Sequence, residues 1–317
     1  MSNQSISFTH IILFLGAMSI LIAACKESHD LPSLPLDVEA ISLLGDTLRI
    51  PELPADTERE FRDSLDAAME RYRMDPEDPD AIIGMGLRLA NLGYYRDAVR
   101  TFTEGTFKHP EDARFYRHRG HRYLTLRLFD AAVDDLEMAA SLLRGTPVEM
   151  EPDGLPDVTG EPEGTLQTKV WYHLGLAHYL NGDFRDASES FRNSLDASEN
   201  DDMKVAVLYW YYMAERRTGN DEYAGSLLNL VEPGMEILEN DKYHQLLLVF
   251  DGQFDADKLL ETAADALEDT IIGYGIGNWH YINGRAGRAS EIWNHVVQGD
   301  NWAASGFIAA EAELARI

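Results

Sequence analysis

Apolar side chains return every three or four positions along most of the chain from Thr57 to its end, the spacing of one face of an α-helix. Over Thr57 to Met74 the stripe is Phe61, Leu65, Ala68, Met69 and Tyr72, and Pro76 stops it, which predicts one amphipathic helix. Between Asp78 and Leu143 the pattern recurs at an offset of 34 residues: Gly86 returns as Gly120, Tyr95 as Phe129, Ala98 as Ala132 and Phe102 as Leu136. After an interruption comes a third copy, with Trp171, Leu174, Gly175, Gly182, Phe184, Ala187 and Phe191. Two looser copies follow. Residues 205–234 keep Gly219, Ala224 and Leu228 but carry Tyr212 where a glycine is expected, and 270–298 keep Gly277, Gly284, Ala289 and Trp293. Between Pro233 and Asp269 the runs KYHQLLLVF and ADKLLETAADAL predict an atypical helical pair. Asn301 to Ile317, with Trp302, Phe307, Ile308 and Leu314, predicts a closing helix. Small residues at fixed places let two helix backbones approach, and the bulky ones fill the space between successive pairs, so that each pair needs a neighbour to bury its face.

Glycine, an aromatic, an alanine and a second bulky residue at this period resemble the tetratricopeptide (TPR) helix-turn-helix repeat. The third copy departs from the repeat pattern at His178, for tyrosine, and at Glu199, for proline; the first copy has Ile82 in place of tryptophan. The resemblance implies an all-α, right-handed TPR superhelix, an α-solenoid of about five repeats at 79–112, 113–146, 168–201, 205–234 and 270–298, with capping helices at both ends. It also implies a concave groove lined by the second, fifth, ninth and twelfth positions of each first helix. That register places Arg114, Arg117, His121 and Leu124 on the groove, then Lys169, Tyr172, Leu176 and Tyr179. The later repeats add Tyr209, Met213, Arg216, Tyr274, Asn278 and Tyr281. The stretch YRHRGHRY, Tyr116 to Tyr123, resembles one in a group of bacterial TPR proteins without an assigned activity.

The first residues follow another rule. No Lys, Arg, Asp or Glu precedes Cys25, and Ile11 to Ala24 is an apolar run shorter than the ~20 residues a membrane-spanning helix needs. It reads as the core of a signal peptide over residues 1–24. Ile22-Ala23-Ala24-Cys25 resembles the bacterial lipobox, which implies that Cys25 is acylated and becomes the new N-terminus. A signal peptide cleaved elsewhere is the alternative. Cys25 is the single cysteine of the chain, and a lone thiol in an exported protein is otherwise an oxidation liability. Residues 25–56, with Pro32, Pro35, Pro51 and Pro54, are expected to be a tether with an extended portion around Ala40 to Ile50. This places the protein in a bacterial cell envelope, facing the periplasm or the cell surface. Taken whole, the chain resembles lipid-anchored bacterial TPR proteins, some of which are periplasmic adaptors.

Charge removes some classes of partner. With 27 Lys and Arg against 55 Asp and Glu, the formal net charge is −28. Nucleic acid needs clustered bases on a basic surface, and an anionic leaflet would repel this chain. The stretch Pro147 to Glu163 carries four prolines, six carboxylates and no Lys or Arg. Such a segment cannot order itself alone; it is expected to be an acidic loop between repeats, either a spacer or a lid.

Against this acidity, the expected groove collects bases and tyrosines, the residue types that dominate binding hot spots, and arginine pairs with carboxylate in a bidentate fork. One reading of Arg114, Arg117, His121, Lys169, Tyr172, Tyr179, Tyr209 and Arg216 is a site for an acidic peptide or a C-terminal carboxylate. The other is that the arginines pair with the chain's own carboxylates and the tyrosines pack between repeats; both stand open here. Arg119 occupies an apolar position of the repeat and requires a carboxylate, with Asp134 or Asp135 in reach. His118 with His121, and His173 with His178, have too few ligands, in a positive field, to hold a metal. His178 and His280 are expected to be satisfied core histidines. Gly273-Tyr-Gly-Ile-Gly277 falls inside a repeat helix, not after a strand, so it is not a dinucleotide loop. No catalytic motif, metal set or cofactor site stands out. The expected function is therefore a non-enzymatic adaptor for a protein or peptide. A glycan- or nutrient-binding lipoprotein on TPR helices is the alternative, disfavoured because the 147–163 insertion has no aromatic platform.

Overall fold

The computed structural model describes residues 31–148, 150–151, 164–232, 234–262 and 266–317, with side chains described for these except 151, 261, 262 and 266–269. The signal segment, Cys25 and nearly all of the acidic stretch lie outside the described residues.

The fold is all-α: helix-turn-helix pairs stacked in chain order. α1 (Ala55–Met74) precedes the pairs α2 (Pro79–Asn91) with α3 (Tyr95–Lys108), and α4 (Ala113–Thr125) with α5 (Phe129–Leu142). Then come α6 (Leu166–Asn181) with α7 (Phe184–Asp196), and α8 (Asp201–Thr218) with α9 (Asp221–Leu228). α10 (Asp241–Phe250) and α11 (Ala256–Thr262) form the irregular pair, followed by α12 (Ala266–Ile282) with α13 (Ala286–Val296) and by α14 (Ser305–Arg316). The first helices begin where the sequence supplies a cap: the side chains of Asp78, Asp112, Thr165 and Asn200 each accept a hydrogen bond from a backbone N–H in the first turn, satisfying donors that a helix start leaves open. α1 lies on the first pair, where Tyr72 donates to Glu104 at 2.7 Å.

Inside each pair the recurring glycine faces the recurring bulky residue. A Cβ added at Gly120 would lie 2.8 Å from Leu136, and one at Gly175 2.5 Å from Phe191; Gly86 meets Phe102 and Gly277 meets Trp293 in the same way. The 34-residue period is thus a contact between two helices. The fourth pair departs from it as its sequence does: Tyr212 replaces the glycine and its ring stacks on Phe250 of α10, 4.9 Å away. Arg119 finds its carboxylate in Asp135, with two hydrogen bonds of 2.7 Å, and its third nitrogen donates to the hydroxyls of Thr103 and Thr106.

Residues expected as a tether are in part a folded element. β1 (Val38–Ile41) and β2 (Thr47–Arg49) pair antiparallel, and Val38, Ala40 and Leu48 are buried. The buried Glu39 carboxylate accepts the backbone N–H of Arg96 at 2.8 Å, and burial is the main cause that raises its pKa. The Trp302 indole donates to the Arg49 carbonyl at 2.8 Å. The hairpin is held through a side chain, Glu39 on the start of α3, and through its backbone, the Arg49 carbonyl on Trp302 ahead of α14. A second, two-residue pairing joins β3 (Met150–Glu151) to β4 (Gly164–Thr165) across the acidic stretch.

The last helix covers α12 and α13, as a cap does, and its opposite side reaches back to the early repeats. Glu311 of α14 pairs with Arg127, which lies in the turn between α4 and α5, at 2.7 Å with both side chains buried. Arg127 also donates to the carbonyls of Thr125 and Trp302, and its guanidinium lies over the rings of Trp302 and Phe307. Glu313 pairs with Arg217 of α8 at 2.5 Å, and Arg316 donates to the carbonyls of Tyr179 and Leu180 at the end of α6. The array therefore curls until its end meets its middle.

Candidate functional site at the basic end of the concave face

This curling decides which of the expected groove residues face an open surface. Leu176, Tyr179, Tyr209, Met213, Tyr274 and Asn278 are all buried. The hydroxyl of Tyr274 donates to that of Tyr179 at 2.8 Å, and Tyr209 packs among Trp210, Tyr243 and Phe250. Around repeats three to five the concave face is filled by the chain itself. Arg216 is held by Asp221 at 2.8 Å and by the Tyr212 hydroxyl, with a third hydrogen bond to the Ile282 carbonyl. Arg114 pairs with Asp112 and Asp80, both at 2.7 Å. For these residues the structural reading, arginines on the chain's own carboxylates and tyrosines in the packing, describes what is found.

A different set remains together. Arg117 and His121 on α4 meet Lys169 and His173 on α6, and Arg122 and His118 adjoin them on α4. Arg117, His118, Lys169 and His173 are buried, while His121, Arg122 and Tyr172 are half-buried. The rings of His121 and His173 lie 4.2 Å apart, centre to centre. Nδ1 of His173 sits 2.7 Å from the carbonyl of Lys169, one helical turn back. A neutral imidazole must donate from Nδ1 there, which leaves Nε2 with a lone pair. Arg117 donates to Nδ1 of His118 at 2.7 Å, and the His118 ring stacks on Phe102. Arg122 lies over the Tyr95 ring at 5.5 Å. Tyr172 accepts the indole N–H of Trp210 at 3.1 Å and turns its ring edge-on to His173.

Burial holds the pKa of His121 well below the usual range, and the neighbouring Arg122, His173, Arg117 and His118 push it the same way. His173 is lowered too, by burial first and then by Arg117, against its bond to the Lys169 carbonyl. Burial brings Arg122 down to about 10, with Tyr95 opposing and Arg117 adding to the shift. Both imidazoles are therefore neutral at pH 7, in the neighbourhood of Arg117, Arg122 and Lys169. Among the described residues no three metal-ligating side chains come together.

Reading the sequence identified Arg117, His121 and Lys169 but not the contributions of Arg122 and His173. His173 stands one helical turn after Lys169, so it faces the same way; Arg122 lies outside the groove register. His280 is buried, yet neither ring nitrogen has a hydrogen-bond partner among the described residues, and its nearest carboxylate, Asp257, is 3.7 Å away. His178 is half-buried with Nδ1 unpartnered. The expectation of two satisfied core histidines is corrected on that point.

No protein-family model matches the chain, and no curated protein matches it. Solved structures do. One is a tetratricopeptide repeat protein from Parabacteroides merdae, 15% identical over 83% of this chain and 97% of that one, with a TM-score of 0.46. Another is YrrB, described as a TPR protein with an unusual peptide-binding site, 14% identical over 74% of this chain and 92% of that one, TM-score 0.43. MamA is 14% identical over 64% of this chain and 99% of that one, TM-score 0.42.

Proposed function

We propose that this protein is a non-enzymatic adaptor, anchored to a bacterial membrane through a lipid on Cys25, that holds an acidic segment or C-terminal carboxylate of a partner protein. The observation that carries this reading is the gathering of Arg117, Arg122, Lys169, His121 and His173 at one place on the concave side of a chain with net charge −28. Arg122 supplies the fork for a carboxylate, and Tyr172, half-buried at the rim, supplies contact area. Tyr179, Tyr209 and Arg216 serve the packing that keeps α6 and α8 in place.

The test follows from where the charges lie. Arg117 is buried, so reversing its charge would disturb the fold along with any ligand. Arg122→Gln, which removes a charge at a half-buried position without reversing one, is the cleaner change. Binding of a hexaglutamate peptide with a free C-terminus should weaken about tenfold to hundredfold, the value of a charge-assisted hydrogen bond. The helical circular dichroism should stay as in the wild type. Raising the salt should weaken wild-type binding by screening. Equal affinity of wild type and variant would remove the site from consideration.

Anchoring has its own measurement. Metabolic labelling with an alkynyl fatty acid should mark the wild-type protein and leave Cys25→Ala unmarked. An unlabelled wild-type protein whose mature N-terminus is not Cys25 would refute the anchor.

A further inference from the structure

We infer that the hairpin of β1 and β2 lies against the bilayer, where its outward leucines and isoleucine enter the headgroup boundary of a zwitterionic lipid surface. The inference rests on the anchor at Cys25 proposed above and adds which side of the protein that anchor holds against the membrane. Apolar residues scattered singly over a surface need no explanation. Here Leu36, Ile41, Leu43 and Leu44 are all exposed within one short element, Leu36 completely. Val38, Ala40 and Leu48 of the same element are buried. One apolar set is used in the fold, and the other is left over.

The turn that presents the leucines is built rather than slack. The Ser42 hydroxyl accepts the backbone N–H groups of Leu44 at 3.1 Å and of Asp46 at 2.9 Å. The Ser42 N–H donates to the Asp46 carbonyl at 2.8 Å, and Gly45 closes the turn at a φ of 95°, which glycine adopts without strain. The Leu43 N–H donates to Glu311 of α14. With their backbone bonded in this way, Leu43 and Leu44 keep their side chains outside. The bonds of Glu39 to Arg96 and of Trp302 to the Arg49 carbonyl fix the other parts of the hairpin. Docking the hairpin therefore orients the helices to which it is tied.

Reach and charge select the occupant. Leu36 stands 11 positions after Cys25, a length of chain that spans at most ~40 Å, so a lipid on Cys25 keeps the hairpin close to the bilayer. At a net charge of −28 an anionic leaflet repels the chain, and self-repulsion opposes a second copy. A layer of neutral headgroups does neither. Asp37 is paired with Arg49, and Asp46, exposed at the turn, stays at headgroup level while the leucines enter. The driving force is the apolar area removed from water.

The experiment attaches a nitrobenzoxadiazole fluorophore to Leu44→Cys in the full chain, acylated at Cys25, on phosphatidylcholine vesicles that carry a nitroxide lipid. The emission should shift to the blue and be quenched by the nitroxide. The same label at Phe254→Cys, another exposed apolar position, should do neither. Adding Ile41→Ser and Leu43→Ser should restore the emission and leave the helical circular dichroism unchanged, since both side chains are exposed. In a Cys25→Ala background the same two changes should lower the partition of the Leu44→Cys chain into the vesicles about tenfold to hundredfold. A chain that floats with the vesicles but has its Leu44→Cys label unquenched, or both labels quenched alike, overturns the hairpin contact and leaves the anchor standing. Where fatty-acid labelling finds no lipid on Cys25, a quenched label in the Cys25→Ala chain overturns the anchor alone, and an unquenched one overturns both. A blue shift that grows with protein concentration in the absence of vesicles would mean that a second copy covers the hairpin, and overturns the lipid contact.

Discussion

Arg127→Met should cost about 3–5 kcal/mol of stability, the penalty for leaving the partner of a buried ion pair without its counter-charge. Glu311 has no access to solvent and, among the described residues, would retain the backbone N–H of Leu43 as its donor. At about 2–4 °C per kcal/mol for a domain of this size class, the melting temperature should fall by roughly 10 °C. The residue is notable for its backbone as well. Arg127 has φ of 63°, whereas the corresponding turns of the other helix pairs carry Gly93, Gly182, Gly219 and Gly284 at φ of 78–93°. An L-residue held there costs about 1–2 kcal/mol, so the turn keeps its strain because the guanidinium ties α4, Trp302 and α14 together. The double change Arg127→Met, Glu311→Leu removes both charges while keeping most of the buried volume. It should recover most of what the single change loses, since a buried pair is often no more stable than an apolar replacement. A single variant that melts with the wild type would mean that the end of the chain does not close on the early repeats.

Gly306→Ala should be the most damaging single methyl among the described glycines. Its Cβ would fall on the carbonyl oxygen of Thr270, which is backbone inside α12 and cannot rotate away. At Gly120 the obstacle is instead the Leu136 side chain, which can yield. Overpacking of a rigid contact costs about 1–3 kcal/mol, with the upper end expected here. The consequence is specific: α14 should lift from α12, and limited proteolysis should cleave near the C-terminus before the rest of the chain is attacked. Gly225→Ala provides the comparison, because no atom lies within 4 Å of its added Cβ. On the short helix α9 it should be neutral or stabilising by about 1 kcal/mol. Equal melting of the two alanine variants would show that the α14–α12 contact is not as close as described.

Much of this architecture is legible in the sequence because it is set by near neighbours. The helix starts follow from Asp78, Asp112, Thr165 and Asn200, each of which bonds within its own first turn. The pairing of helices follows from glycines at 86, 120, 175 and 277, each facing a bulky residue 16 positions later, at 102, 136, 191 and 293. Contacts repeated at a fixed short separation leave a period, and a period can be read. The partner of Arg119 was legible for the same reason, since Asp135 is on the next helix.

The candidate site was legible only in part. Helical register alone brings Arg117 and His121 to one side of α4, and Lys169 to the same side of α6. Which groove positions stay open is decided by residues far along the chain, because Tyr274 of α12 and Arg316 of α14 reach Tyr179 from 95 and 137 positions onward, and Tyr243 of α10 packs on Tyr209. The hairpin at 38–49 was obscured for the same reason, its buried face being completed by α3 and Trp302. Arg127 did leave a trace, an arginine 34 residues after Gly93 where the period calls for glycine, but its partner is 184 residues onward. The sequence by itself thus determined the helices, their caps and their pairing, which depend on local geometry. Tertiary structure alone decided how far the array curls, and with it which bases remain together around His121 and His173, because curvature sums small packing angles over every repeat and closes through contacts that have no period.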